Sequence, residues 1–290
     1  MKIILGPASK QLGEKIAQLL NAQKVPVAFK SFPDGESYIR LEADVRNEEA
    51  VIIQTTSPPQ DQKLIQLALM ADAARRNGAE KVKAVVPYLA YARQDKIFLQ
   101  GEALSIETIA NMLKVAGIDS LITVNVHQEK ALNNFPFPTK NISAIPTLAE
   151  YFRHRGIQRA FALAPDEGAI HIAEQAQQVL KGECGYMEKQ RDRYTGQVSM
   201  EKGSLDVRGK TVIIFDDIIS TGGTIIAAAK ILKELGTKTI YASCVHPILI
   251  GDAEKRILDS GVAEIVGTDS VPDHASKVSL APLIAKELLS

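Results

Sequence analysis

Thr211-Val-Ile-Ile-Phe-Asp-Asp-Ile-Ile-Ser-Thr-Gly-Gly-Thr-Ile225 reads as an apolar strand, two adjacent acids and a glycine-rich loop that opens a helix. Thr211 to Phe215 are mostly β-branched or aromatic, so they form a short buried strand that ends where the polar residues begin. Asp216 and Asp217 then stand at a strand's carboxyl end, where open parallel α/β sheets bind their ligands. The loop Ser220, Thr221, Gly222, Gly223, Thr224 leads into a helix beginning near Thr224. Its glycines let backbone N–H groups approach phosphate oxygens, its hydroxyls add donors, and the helix dipole favours negative charge. The two acids repel a bare phosphate, so their partners are the hydroxyls of an attached sugar or a divalent metal. A ribose phosphate satisfies both halves. The competing reading makes the acids a helix cap and the glycines a tight turn.

Bulk charge adds nothing to this anion site. Lys plus Arg and Asp plus Glu both number 34 among 290 residues, so net charge gives no case for nucleic acid or a membrane surface. The length suits one large domain or two ordinary ones. Cys184 and Cys244, with no CxxC, are expected to be structural thiols in a reducing compartment. The aliphatic run Ile3-Ile-Leu5 is too short for a signal peptide's apolar region, and no stretch approaches a membrane span. A soluble, cytoplasmic protein is expected.

Strands and helical patterns alternate along the chain, which is α/β grammar. Lys2 to Leu5, Val51 to Gln54, Val82 to Pro87 and Leu121 to Val126 are strand candidates in the first half. Ala160 to Ala164, Thr211 to Phe215, Thr239 to Val245 and Ala263 to Val266 replay them in the second. Leu5-Gly-Pro7 is matched 158 residues later by Leu163-Ala-Pro165, and Val51-Ile-Ile is matched 161 later by Val212-Ile-Ile. The offset then drops to 144 between Gly117 and Gly261, so the first half carries an insertion beyond Pro87 that includes Arg93 to Gly101. An elaborated loop after a strand end is a natural home for catalytic residues. A duplicated fold with one enlarged loop follows.

Segment 211–225 resembles the phosphoribosyl-diphosphate motif shared by type I phosphoribosyltransferases and ribose-phosphate diphosphokinases. Three further segments separate these groups: Phe32-Pro-Asp-Gly-Glu36, Tyr91-Ala-Arg-Gln-Asp-Lys96 and Pro165-Asp-Glu-Gly168. Together they resemble the ribose-phosphate diphosphokinase (PRPP synthase) family over nearly the whole chain. The resemblance implies two tandem type I phosphoribosyltransferase-like α/β domains, 1–142 and 143–290, each a largely parallel sheet flanked by helices. It implies transfer of a diphosphoryl group from MgATP to O1 of ribose 5-phosphate. Ile97, Phe98, Leu99 and Gln100 follow Lys96 where bacterial-type members carry further basic residues, a form more like archaeal members.

The same resemblance distributes roles. Asp216, Asp217, Ser220, Thr221, Gly222, Gly223 and Thr224 hold ribose 5-phosphate. Arg93, Gln94, Asp95 and His127 meet ATP, and Phe32, Asp34 and Glu36 reach adenine in a neighbouring subunit, which implies a homo-oligomer. Arg93, Lys189 and Arg191 are the catalytic cations, and such clamps suit a reaction whose charge gathers on non-bridging oxygens. His127, Asp166 and Asp217 are the residues expected near Mg²⁺. Asn125 stands where many members carry an acid, a weaker magnesium ligand. Asp166 suits an N-cap for the helix from Gly168 equally well. Two rivals remain: a phosphoribosyltransferase, and a catalytically silent partner of the synthase. The sequence holds no GxxxxGK[ST], which argues against an ordinary P-loop kinase.

Overall fold

A computed structural model describes residues 1–191, 198–201 and 205–290, with side chains described for 1–187 and 205–290. The chain forms two compact units, one of Met1–Ser143, Ser270–Pro272 and Ser279–Ser290, the other of Ala144–Asp269 and Asp273–Val278.

The first unit runs β1 (Lys2–Leu5), α1 (Lys10–Leu19), β2 (Gln23–Val25), β3 (Val27–Ser31), β4 (Ser37–Leu41), β5 (Glu49–Ile53), α2 (Gln60–Arg76), β6 (Lys81–Val86), α3 (Ser105–Val115), β7 (Ser120–Val124) and β8 (Thr139–Ile142). Its sheet has the order β2-β1-β5-β6-β7-β8, and every pairing is parallel. β3 and β4 form a separate antiparallel ribbon. Ile3, Ile4, Val51, Ile52 and Ile53 are fully buried, as continuous apolar runs are in a parallel sheet covered on both faces.

The second unit runs α4 (Ile145–His154), β9 (Phe161–Ala164), α5 (Ile170–Leu180), β10 (Cys184–Tyr186), β11 (Glu188–Arg191), β12 (Val198–Glu201), β13 (Thr211–Ile219), α6 (Gly223–Glu234), β14 (Thr239–Pro247), α7 (Ala253–Asp259), β15 (Glu264–Thr268) and β16 (Ser276–Val278). The order β10-β9-β13-β14-β15-β16, again all parallel, repeats the first unit strand for strand. The duplication read from sequence landmarks is thus present in the topology. The enlarged loop also falls as expected, between Val86 and Ser105, where the second unit has only the short link from Pro247 to Ala253.

The final helix, α8 (Ala281–Leu288), departs from a continuous second domain over 143–290. It buries Ala281, Ile284 and Ala285 and packs on α1, within the first unit. Glu287 on this helix pairs with Lys140 at 2.6 Å. An amphipathic helix goes wherever its apolar stripe is covered, and here α1 covers it.

Candidate active site

β13 does not stop at Phe215. It continues through both acids to Ile219, because β14 pairs with it all the way to the match of Ile219 with Pro247. β9 pairs only with Val212 to Ile214. Beyond Ile214 the β9 side of the strand is open, at the point where the strand order reverses. Crevices of parallel sheets open at such switch points, and Asp216 and Asp217 lie in this one.

The loop that follows becomes α6 at Gly223, a helix whose buried stripe Ile225, Ala228, Ala229 and Leu232 follows the helical period. Gly222 is its N-cap at φ 77, a left-handed conformation. A Cβ there would come within 2.7 Å of Ile257, so backbone geometry and packing both demand glycine. At Gly223 a Cβ would meet nothing within 4 Å, so the first turn of α6 presents bare backbone to open space. The carbonyls on the other side of the loop are engaged. Ile219 O accepts from the N–H groups of Ile248 and Leu249, Ser220 O from that of Ile250, and Thr221 O from Arg256 Nη2 at 2.9 Å. Carbonyls tied backward and a helix N-terminus without a side-chain cap make an anion cradle. The hydroxyls of Ser220, Thr221 and Thr224 stand on it.

Arg256, which the sequence reading missed, sits on α7, 35 residues from the carbonyl it holds, and is itself braced by Asp252 at 2.9 Å. Both side chains are largely exposed, so the pair contributes little to stability. Arg256→Ala is expected to leave the melting temperature nearly unchanged and to weaken sugar-phosphate binding by about three- to tenfold through a looser loop, as seen by calorimetry.

Electrostatics at the strand end are adverse. The Asp216 carboxyl is pushed well above the ordinary carboxylate range, first by burial, then by the Asp217 carboxylate beside it and, more weakly, by Asp166. The Asp217 N–H, which donates to Asp216 Oδ1 at 2.8 Å, opposes that shift. Asp166 follows β9 and accepts from the Ala169 N–H at 3.2 Å. It therefore caps the short turn Glu167–Ala169, one turn ahead of α5, while also lying within the field of Asp216. The cap reading of Asp166 is thus present in the structure.

Magnesium suits this donor set. The clustered like charge that raises Asp216 is what a divalent cation neutralises, and the oxygens are hard. Among the described residues no three His, Cys, Asp or Glu side chains converge as a ready-made metal cage. Mg²⁺ commonly takes one or two carboxylates and completes its shell with water and substrate phosphates, so a pair of acids suffices.

In the first unit, β6 and β7 are paired neighbours, so the loop carrying Arg93, Gln94 and Asp95 and the segment carrying His127 leave the same carboxyl edge of the sheet. Arg93 and His127 are exposed, and Gln94 and Asp95 are half-buried. Asn125 has φ 40. Left-handed backbone is tolerated by asparagine better than by most residues, which gives this position a structural reason of its own. Phe32, Asp34 and Glu36 sit at the tip of the β3–β4 ribbon. The Phe32 carbonyl accepts from Gly35 N–H at 2.9 Å, with Pro33 in the φ-fixed turn position and Gly35 at φ 95. Phe32 is not core. It is exposed, edge-on to Tyr38, with the Lys30 ammonium 4.9 Å from its ring.

The crevice of the first unit that corresponds to the cradle is filled by its own side chains. Gln54 Oε1 accepts from Ala8 N–H at 3.0 Å, Ser9 Oγ accepts from Thr55 N–H at 2.8 Å, and Gln54 Nε2 donates to Gln66 at 3.2 Å, with the Ser9, Gln54 and Gln66 side chains buried. Only the second unit keeps the acids and the glycines. Lys189 and Arg191 lie on β11, opposite Met200 and Val198 of β12, and their side chains are outside the described residues. Cys244 is fully buried beside Asp216, with its thiol pushed well up by burial. Cys184 is only half-buried, and its Sγ donates to Gln177 at 3.3 Å. No helix among the described residues is long and apolar enough to cross a membrane.

Two parallel-sheet units of one topology, one of them bearing an acid-flanked glycine loop at a helix N-terminus, define a protein of the phosphoribosyltransferase fold. Residues 1–117 match the family described as the N-terminal domain of ribose phosphate pyrophosphokinase, and residues 142–277 match the phosphoribosyl transferase domain. The chain is 41% identical to a ribose-phosphate pyrophosphokinase of Methanobrevibacter smithii, over 99% of both chains. It is 40% identical to one from Saccharolobus solfataricus, over 93% of each. The crystal structure of phosphoribosylpyrophosphate synthetase from Mycobacterium smegmatis superposes with a TM-score of 0.87 at 29% identity, covering 100% of this chain and 97% of that one. The chain belongs to the ribose-phosphate pyrophosphokinase family.

Proposed function

We propose that this protein transfers the diphosphoryl group of MgATP to O1 of ribose 5-phosphate, giving 5-phosphoribosyl 1-diphosphate and AMP for nucleotide biosynthesis. The observation that carries the reading is the open helix N-terminus at Gly223 beside Asp216 and Asp217, at the switch point of the second sheet. Family membership reaching into both domains selects the synthase over a lone transferase, which leaves the first unit and its loop without a task.

Backbone N–H groups of the cradle and the hydroxyls of Ser220, Thr221 and Thr224 bind the 5-phosphate. Asp216 and Asp217 accept from ribose hydroxyls and orient the sugar. O1 attacks the β-phosphorus in line and gives up its proton to solvent, and the bond from β-phosphorus to the bridging oxygen breaks as AMP departs with that oxygen. No covalent nucleophile is needed, since positioning and charge stabilisation account for most of such catalysis. Arg93, Gln94, Asp95 and His127 hold the nucleotide, and Lys189 and Arg191 stabilise the transferring group. Asp166 and Asp217 are the residues to hold Mg²⁺, with His127 near the triphosphate; when bound, the ion supplies charge neutralisation of the phosphate oxygens. Phe32, Asp34 and Glu36, exposed on their ribbon, serve the adenine of a neighbouring copy in a homo-oligomer. Two unpaired cysteines suit a reducing cytoplasm.

Lys189→Ala tests the assignment of the cations. Turnover is expected to fall about 100- to 1,000-fold, the usual effect of losing one donor aimed at developing charge, with ribose 5-phosphate affinity unchanged. Unaltered turnover removes Lys189 from the mechanism.

A further inference from the structure

The loop after β6 projects Ile97, Phe98 and Leu99 into solvent at 59%, 59% and 69% exposure, so no core holds its tip. What holds it is one carboxylate. Glu102 accepts from Phe98 N–H at 2.7 Å, from Leu99 N–H at 3.0 Å and from the Gln94 side-chain amide at 3.3 Å. The Glu102 N–H donates back to the Leu99 carbonyl at 3.2 Å, which closes the turn. At the loop's other end Tyr91, in left-handed backbone, donates its hydroxyl to Asp61 in the first turn of α2. The Gln94 N–H then donates to the Tyr91 carbonyl at 3.3 Å. The segment with Arg93, Gln94, Asp95 and Lys96 is thus tied at its root by Tyr91 and at its tip by Glu102.

We infer that Glu102 is the positioning residue of this loop: it presets the backbone that presents Arg93 and Gln94 to ATP, without itself touching the reacting atoms. The inference rests on the assignment of this loop to ATP given above. An ionised carboxylate gathering two adjacent N–H groups is a strong local template, and those hydrogen bonds hold its acid form below the ordinary range. The Lys96 ammonium stands 5.0 Å from the centroid of the Phe98 ring. Because sugar-phosphate binding belongs to the second unit, loss of the template should be felt by ATP alone.

Two measurements test this. Hydrogen exchange on peptides covering 93–102 reads the template directly: Glu102→Ala should raise exchange of the Phe98 and Leu99 amides at least tenfold, and unchanged exchange overturns the inference whatever the activity. Steady-state kinetics read its consequence. Glu102→Ala should raise KM for ATP about tenfold and leave KM for ribose 5-phosphate within twofold, with Glu102→Gln, which keeps one acceptor oxygen, recovering part of the loss. Gln94→Ala combined with Glu102→Ala should cost less than the product of the single losses. Equal effects on both substrates would mark a general folding defect and contradict the positioning role. A wild-type enzyme that forms no AMP fails the functional assignment instead, and the exchange result then still decides the template.

Discussion

Gly223→Asp is expected to raise KM for ribose 5-phosphate by 100-fold or more while leaving the protein as stable as before, or slightly more so. The two directions come from one position. Gly223 is the first residue of α6, with nothing within 4 Å of an added Cβ, so the substitution meets no steric barrier in the fold. A carboxylate in the first turn of a helix stabilises it by about 0.3–1 kcal/mol through the dipole, and replacing glycine recovers helix propensity. The same carboxylate occupies the space and the field proposed for the 5-phosphate. Losing charge-assisted contacts of about 1.5–3 kcal/mol each, and adding repulsion, exceeds a hundredfold in affinity. Calorimetric titration and thermal melting separate the outcomes, and a variant that binds ribose 5-phosphate normally places the cradle elsewhere.

Asp216→Asn is expected to gain stability and lose activity. Burial and the Asp217 carboxylate raise the folded-state pKa of Asp216 above its unfolded value. The folded state therefore holds that proton more tightly, and the stability this confers is full below the unfolded carboxylate value of about 4 and is lost as pH rises through the folded value. Metal-free wild type should melt lower at pH 7 than this group would allow at acid pH, whereas the asparagine variant lacks that loss. At pH 7 without Mg²⁺ the variant should melt higher, by about 2–4 °C for each kcal/mol relieved. Its turnover should fall at least about 100-fold, the trade expected where like charges are gathered for function. A variant that melts lower at neutral pH would show that Asp216 is held by favourable partners.

Each of the eight strands read from the sequence is present, because each is a central strand whose segment is predominantly apolar. β2, β8, β10 and β16 are missing from that reading for the converse reason. They are short edge strands, and β2 exposes Gln23 and Lys24, so no apolar run announces them. β13 overruns its predicted end since pairing with β14 carries the acids along, a tertiary effect that overrides the polarity of Asp216 and Asp217. The destination of α8 is equally invisible locally: its stripe Ala281, Ile284, Ala285 says that it is covered, not by what. In the site, the cradle was legible because glycines, hydroxyls and acids are contiguous. Arg256 and Glu102 were not, since each acts by bonding backbone groups, Arg256 across 35 residues and Glu102 within its own loop, and backbone carries no sequence signature.

The most direct measurement is separation of the nucleotide products after the purified protein is mixed with MgATP, with and without ribose 5-phosphate. Diphosphoryl transfer predicts AMP in amounts equal to the sugar consumed, formed only when ribose 5-phosphate is present, and cut about 100-fold in Gly223→Asp at ribose 5-phosphate concentrations below the wild-type KM. ADP as the product, or AMP released equally without the sugar phosphate, would contradict it.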